Sequence, residues 1–155
     1  MSRLRHRDVQ DLRKEIVLAL ARRIVEVAKS KKAQKVVILD MSDISTFCDY
    51  FVILSGTSLR HVNALAKAIQ EDLSHPSLKS DIVSKGGWGK DGIKSLSKVS
   101  GNDESGWIVL DYVSVVVHIF YKPMREFYSL ERLWSDAKRV RIPRSASKRS
   151  YSLPL

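Results

Sequence analysis

The chain has one cysteine, Cys48, in 155 residues. An internal disulfide is therefore excluded, a zinc site lacks its thiols, and a reducing compartment is expected. Glycine and proline are also scarce, at seven and four, which excludes a collagenous or low-complexity chain. No apolar run approaches the roughly 20 residues of a membrane helix. The longest are Ile16–Ala21 and Val113–Tyr121, the second interrupted by His118. Ile16–Ala21 is also too short for the apolar stretch of a secretory leader and runs directly into Arg22-Arg23. No membrane association and no secretion are expected, and the chain is expected in the cytoplasm.

Acidic residues are missing toward the two ends. Residues 1–35 hold 11 Lys+Arg against 4 Asp+Glu, residues 36–137 hold 10 against 13, and residues 138–155 hold 6 against none. The net charge of +10 is thus an excess of the ends over a mildly acidic middle, which argues against a basic core that reads nucleic acid. It fits a near-neutral domain working in polyanionic surroundings, with basic arms adding a salt-sensitive attraction.

What is present is enough for one packed domain: 44% hydrophobic and 28% charged residues are the proportions of a globule. From Asp8 to about Lys31, Val9, Leu12, Ile16, Leu20, Ile24 and Val27 recur every three or four residues, predicting an amphipathic helix with Asp8 as its cap. Lys35–Asp40 and Tyr50–Ser55 are short β-branched and aromatic runs that read as buried strands. After Gly56, the stripe Leu59, Val62, Leu65, Ala66, Ile69, Leu73 predicts a second helix. A strand near Ser80–Ser84 is expected, followed by a flexible insertion over 86–104, rich in Gly, Ser and Lys. Trp107–Asp111 and Ser114–Phe120 form a tight antiparallel hairpin. Phe127, Leu130, Trp134 and Ala137 mark a short last helix, and 138–155 reads as a disordered basic tail. The domain is accordingly placed at 8–137, after a basic arm at 1–7.

Candidate chemistry is thin. Gly56, Thr57, Ser58, Arg60 and His61 sit where a strand turns into a helix, a geometry whose N–H groups can hold an anion; the competing account is that Thr57 or Ser58 simply caps the helix. A nucleotidyltransferase would follow such a turn with two carboxylates two residues apart, and none follows. Asp40, Asp43 and Asp49 match no metal loop and read as caps and turns. His118, alone in an apolar strand, reads as a packed residue. No base, nucleophile and oxyanion site assemble, so neither catalysis nor a cofactor nor a metal is expected. Aromatic residues are the stronger feature: Trp107, Tyr121, Phe127, Tyr128 and Trp134 crowd one hairpin and helix, and such rings anchor protein interfaces. Alternation along Trp107–Asp111 sends Ile108 and Leu110 to the core and turns Trp107, Val109 and Asp111 the other way. Trp107 is therefore expected to be an exposed anchor.

Asp49-Tyr-Phe-Val-Ile, Ser55-Gly-Thr-Ser-Leu-Arg-His-Val62, Trp107-Ile-Val-Leu-Asp111, Val117-His-Ile-Phe120 and Arg125-Glu-Phe-Tyr-Ser-Leu-Glu-Arg-Leu-Trp134 together resemble the ribosomal silencing factor family, RsfS or Iojap, across residues 10–137. The resemblance implies a single α/β domain with a mixed sheet of about five strands packed by helices, shaped like a nucleotidyltransferase but without its catalysis. It also implies binding to large-subunit ribosomal protein fourteen at the subunit-joining face, so that the small subunit cannot join and translation is repressed. Homodimers in the free state are implied as well. The partner-binding residues then expected are Trp107, Val109, Asp111, His118, Arg125 and Tyr128, with adjacent rRNA touched by the basic arms. A degenerate nucleotidyltransferase and a basic RNA-binding accessory protein are the alternatives. One departure concerns the hairpin, where Val113-Ser114 stands in place of the family's usual Gly-Asp, and β-branched Val resists positive φ.

Overall fold

The computed structural model describes residues 6–74, 98–100 and 104–143. The chain enters as α1 (His6–Ser30), whose packing ridge is Val17, Leu20, Ala21, Ile24 and Ala28, all buried. Of the expected stripe, Leu20 and Ile24 lie on it, Ile16 and Val27 are half-buried beside it, and Val9 and Leu12 are exposed. Strands β1 (Gln34–Asp40) and β2 (Tyr50–Gly56) follow, then α2 (Leu59–Leu73). Strand β3 (Lys98–Ser100) precedes the hairpin of β4 (Trp107–Asp111) and β5 (Val115–Tyr121). Helices α3 (Lys122–Tyr128) and α4 (Leu130–Leu133) and strand β6 (Lys138–Val140) complete the fold. No helix of the described residues is long and apolar enough to cross a membrane.

The six strands make one mixed sheet in the order β3-β4-β5-β2-β1-β6. Its centre is the parallel pair β2 and β5, in register from Tyr50↔Val115 to Gly56↔Tyr121; the other pairs are antiparallel. Strand alternation sends Val52, Leu54, Ile108, Leu110, Val117 and Ile119 under α1 and α2, where they meet Val62, Leu65, Ile69 and Leu73 in the main core. Each such side chain contributes roughly 2 kcal/mol by leaving water. Arg23 of α1 ties the two helices together with a fork onto Asp72 of α2, at 2.9 and 2.7 Å.

Four expectations change. The first helix starts at His6, so Asp8 lies inside its first turn and the N-terminal arm is helical at its end. Within the expected insertion, Lys98–Ser100 is a strand paired with β4. The expected tail opens with β6, paired with β1 through Ile38↔Val140 and Asp40↔Lys138. The last helix is two, because Ser129 adopts φ 47° and stops α3. The expected strand at 80–84, most of the insertion and residues 144–155 lie outside the described residues.

The hairpin turn carries the strain anticipated for Val113. Its φ is 70°, and the Ser114 N–H returns to the Tyr112 carbonyl at 2.9 Å, closing the strained form of γ-turn. Asp111 Oδ1 accepts the Val113 N–H at 2.8 Å, and the turn is held from β2 by Ser114's carbonyl, which accepts from Asp49 and Tyr50. Val113→Gly keeps all of these bonds and removes the Cβ, so it is expected to raise stability by about 1 kcal/mol. Thermal unfolding checks this, and an unchanged or lower midpoint counts against the strain.

Candidate protein-docking face

The sheet face away from α1 and α2 is only partly roofed. Leu39, Met41, Ile53, Phe120 and Ala137 form a small buried cluster there, ringed by half-buried Val37, Phe51, Trp107, Val116, Leu130 and Trp134. The roof is α3, α4 and the turn after them, which leave Phe127 and Leu133 77% and 73% exposed. Along the floor, β4 presents Trp107, Val109 and Asp111, each half-buried, while Ile108 and Leu110 enter the core, as alternation requires.

Trp107 is the hub. Its ring stacks on Phe120 at 5.1 Å and leans on Tyr128 at 4.8 Å. Its indole Nε1–H donates to His118 Nδ1 at 3.2 Å. His118, 7% exposed, is flanked on the other side by Phe51 in an edge contact at 4.6 Å, and Phe51 meets Trp134 edge-on at 6.0 Å. Burial lowers the His118 pKa to about 4, against a weaker opposing pull from Asp111. The imidazole is therefore neutral near pH 7, accepting at Nδ1 and bearing its proton on Nε2. That Nε2 is buried without a partner among the described residues, a donor left unsatisfied at the base of an apolar face.

Five of the six expected partner-binding residues, Trp107, Val109, Asp111, His118 and Tyr128, come together here. Trp107 is half-buried rather than exposed, since Phe120, Tyr128 and His118 enclose one side of it. Arg125 does not join them as a free contact. It is 9% exposed, and its guanidinium is spent on the Lys35 carbonyl at 2.6 Å, on Ser55 Oγ at 2.9 Å and on Glu131, pinning α3 to the ends of β1 and β2.

The turn at Gly56–His61 resolves toward capping. Ser58 Oγ accepts the His61 N–H at 3.0 Å. The Thr57 N–H is taken by His61 Nδ1 at 2.9 Å, while His61 Nε2 donates to the Lys31 carbonyl at 2.7 Å. Two N–H groups that an anion needs are thus occupied from within, and the Arg60 side chain is exposed at the helix start. Gly56 is required because a Cβ there lies 3.0 Å from the Val62 backbone nitrogen. Asp40 behaves as a turn residue, accepting from Ser42 N and Oγ and pairing with Lys14. No group of three or more His, Cys, Asp and Glu among the described residues is placed to hold a metal ion.

The expected partner-binding set lacks Phe51 and Trp134, which the structure adds to this face. The alternation of β2 held the signal for Phe51, because Val52 and Leu54 fix the core side and Phe51 falls opposite. A further ring, Phe47, stands 88% exposed in the β1–β2 connection, where no periodicity marks it.

This arrangement has known relatives. The profile of a family described as ribosomal silencing factor during starvation matches residues 14–152. The chain belongs to the ribosomal silencing factor family. Ribosomal silencing factor RsfS of Bacillus subtilis is 36% identical over 107 residues, covering 69% of this chain and 77% of that protein. A mouse relative, mitochondrial assembly of ribosomal large subunit protein 1, is 29% identical over 112 residues, which is 72% of this chain and 43% of that protein. The chloroplastic protein Iojap of Arabidopsis thaliana is 26% identical over 128 residues, covering 81% of this chain and 46% of that protein. A crystal structure from Bacillus halodurans superposes with a TM-score of 0.55 at 31% identity, over 81% of this chain and 96% of that one. Membership accounts for the α/β domain on which the Trp107, His118 and Tyr128 side chains meet.

Proposed function

We propose that this silencing factor binds the free large ribosomal subunit through the aromatic sheet face, with ribosomal protein fourteen at the subunit-joining surface as its contact. Bound there, it blocks the small subunit by occupying space, and no bond need be made or broken. The observation that carries the reading is the Trp107, Phe51, His118, Tyr128 and Trp134 cluster, half-roofed and rimmed by exposed Phe127 and Leu133. Rings in this state are the anchors of interfaces, and a standard interface of roughly 1,600 Å² in total is within a domain of this size. The names of the relatives, silencing factors and a large-subunit assembly protein, support the large subunit as the partner.

In the free protein the same face serves a two-fold dimer, which the ribosomal partner displaces. Cosedimentation tests the reading: the protein should travel with free large subunits and be absent from joined ribosomes, and equal binding to both sinks it. Light scattering tests the dimer, which should dissociate when ribosomal protein fourteen is added.

A further inference from the structure

The positive charge assigned by sequence to the arms has a second home on the folded body. In register, the end of β2 at Gly56 lies beside the end of β5 at Tyr121, and Ser55 lies beside Gln34 at the start of β1. Three strand ends thus sit within about 10 Å of sheet width. Onto this end the chain places Lys31, Lys32, Lys35, Arg60, Lys122 and Arg132, each exposed and none ion-paired among the described residues. Contacts hold them together: the Lys31 carbonyl is bound by His61, next to Arg60, and the Lys35 carbonyl by Arg125. Lys35, Lys122 and Arg132 share a recess of about 200 Å³, with Glu126 and Glu131 on its wall. Glu131 is engaged by Arg125 and lies 3.9 Å from Arg139.

Two of these lysines stand where the backbone favours glycine. Lys32, at φ 64°, is the left-handed residue closing α1: its N–H bonds to the Lys29 carbonyl and that of Ala33 to the Ala28 carbonyl, both at 3.0 Å, the pattern that usually ends in Gly. Lys35, at φ 49°, occupies the extra position of the bulge between Gln34 and Val37, again a place for glycine. Folding alone therefore does not ask for lysine at either position.

We propose that this end of the sheet is a second contact surface, separate from the docking face, that grips the phosphate backbone of double-helical RNA. No aromatic side chain lines the recess, so a base entering it has nothing to stack on, and cations spread over three strand ends suit a backbone rather than a base edge. The choice of RNA as the polyanion rests on the ribosomal role proposed above.

The test uses the full-length chain and an RNA duplex of about 20 base pairs, titrated from roughly 50 to 200 mM salt. The Lys32→Gly, Lys35→Gly double variant should melt no lower than the parent, because both backbones accept glycine and the Lys35 carbonyl still receives Arg125. Its RNA affinity should fall about tenfold at the lower salt, with the slope of log K against log salt reduced by between one and two. Trp107→Ala should leave RNA binding unchanged, which separates this surface from the docking face. Unaltered affinity and slope in the double variant overturn the proposal, as does a loss produced by R144Q/K148Q/R149Q in its place. Equal affinity for polyglutamate of the same charge overturns the assignment to RNA.

Discussion

Trp107→Ala is expected to weaken binding to free large subunits by about 30-fold to 1,000-fold, the effect of about 2 to 4 kcal/mol lost with an interface anchor. The packing around the ring adds a second consequence. Trp107 stacks on Phe120 and hydrogen-bonds His118, so the truncation also opens space beside the small cluster and leaves Nδ1 unpaired. A stability loss of about 2 kcal/mol is expected. Affinity must therefore be measured at a temperature where the variant is still folded, and beside a companion that isolates the surface. Phe127→Ala is that companion: at 77% exposed, it should melt with the parent yet bind several-fold more weakly. If both variants bind like the parent, the aromatic face is not the docking surface.

His118 makes the fold sensitive to acid. Its folded pKa is about 4 against the ordinary 6.5, so between these values the unfolded chain takes up a proton that the folded chain refuses. The contribution to stability is fully present above pH 6.5 and is lost as pH falls toward 4. The amount is about 3 kcal/mol. Chemical denaturation across this window should show the parent losing that much relative to His118→Gln, whose side chain does not titrate, with the two curves parallel above pH 6.5. Parallel curves throughout would falsify the buried neutral imidazole. Protonation also turns Nδ1 into a donor, which cannot accept from Trp107, so indole fluorescence should change together with the acid transition.

Periodicity made the large elements legible. Most of the apolar stripes of α1 and α2, the β-branched runs of β1 and β2 and the alternation of β4 rest on packing against the two faces of one sheet, and packing writes its period into sequence. Val9, Leu12 and Leu59 share that period yet are exposed. Lys98–Ser100 and Lys138–Val140 escaped because a three-residue edge strand is held by main-chain bonds to one neighbour and needs no apolar alternation. Arg125 was misplaced for a related reason: the motif around it is legible, but its side chain meets Lys35, Ser55 and Glu131 through contacts that no local pattern encodes. At Gly56–His61 the sequence favours a cap over an anion cradle but fits both, and the bonds of His61 to Thr57 and Lys31 occupy the groups a cradle would need. Val113 was readable as a conflict, since a tight hairpin asks for positive φ whatever residue occupies it.

The parallel pairing at the centre of the sheet governs the order in which a newly made chain can fold. α1, β1, β2 and α2 emerge first and can associate early, because β1 and β2 are antiparallel and close in the chain. One edge of β2, the most buried strand, nevertheless stays open until Val115 and the residues after it have been synthesised, and the outer edge of β1 waits longer still for Lys138–Val140. A nascent chain halted before β5 thus displays two unpaired edges beside an apolar surface, the condition that invites pairing with other chains. Cooperative folding is then a late event that follows near-complete synthesis, and loop closure between distant strands sets its rate.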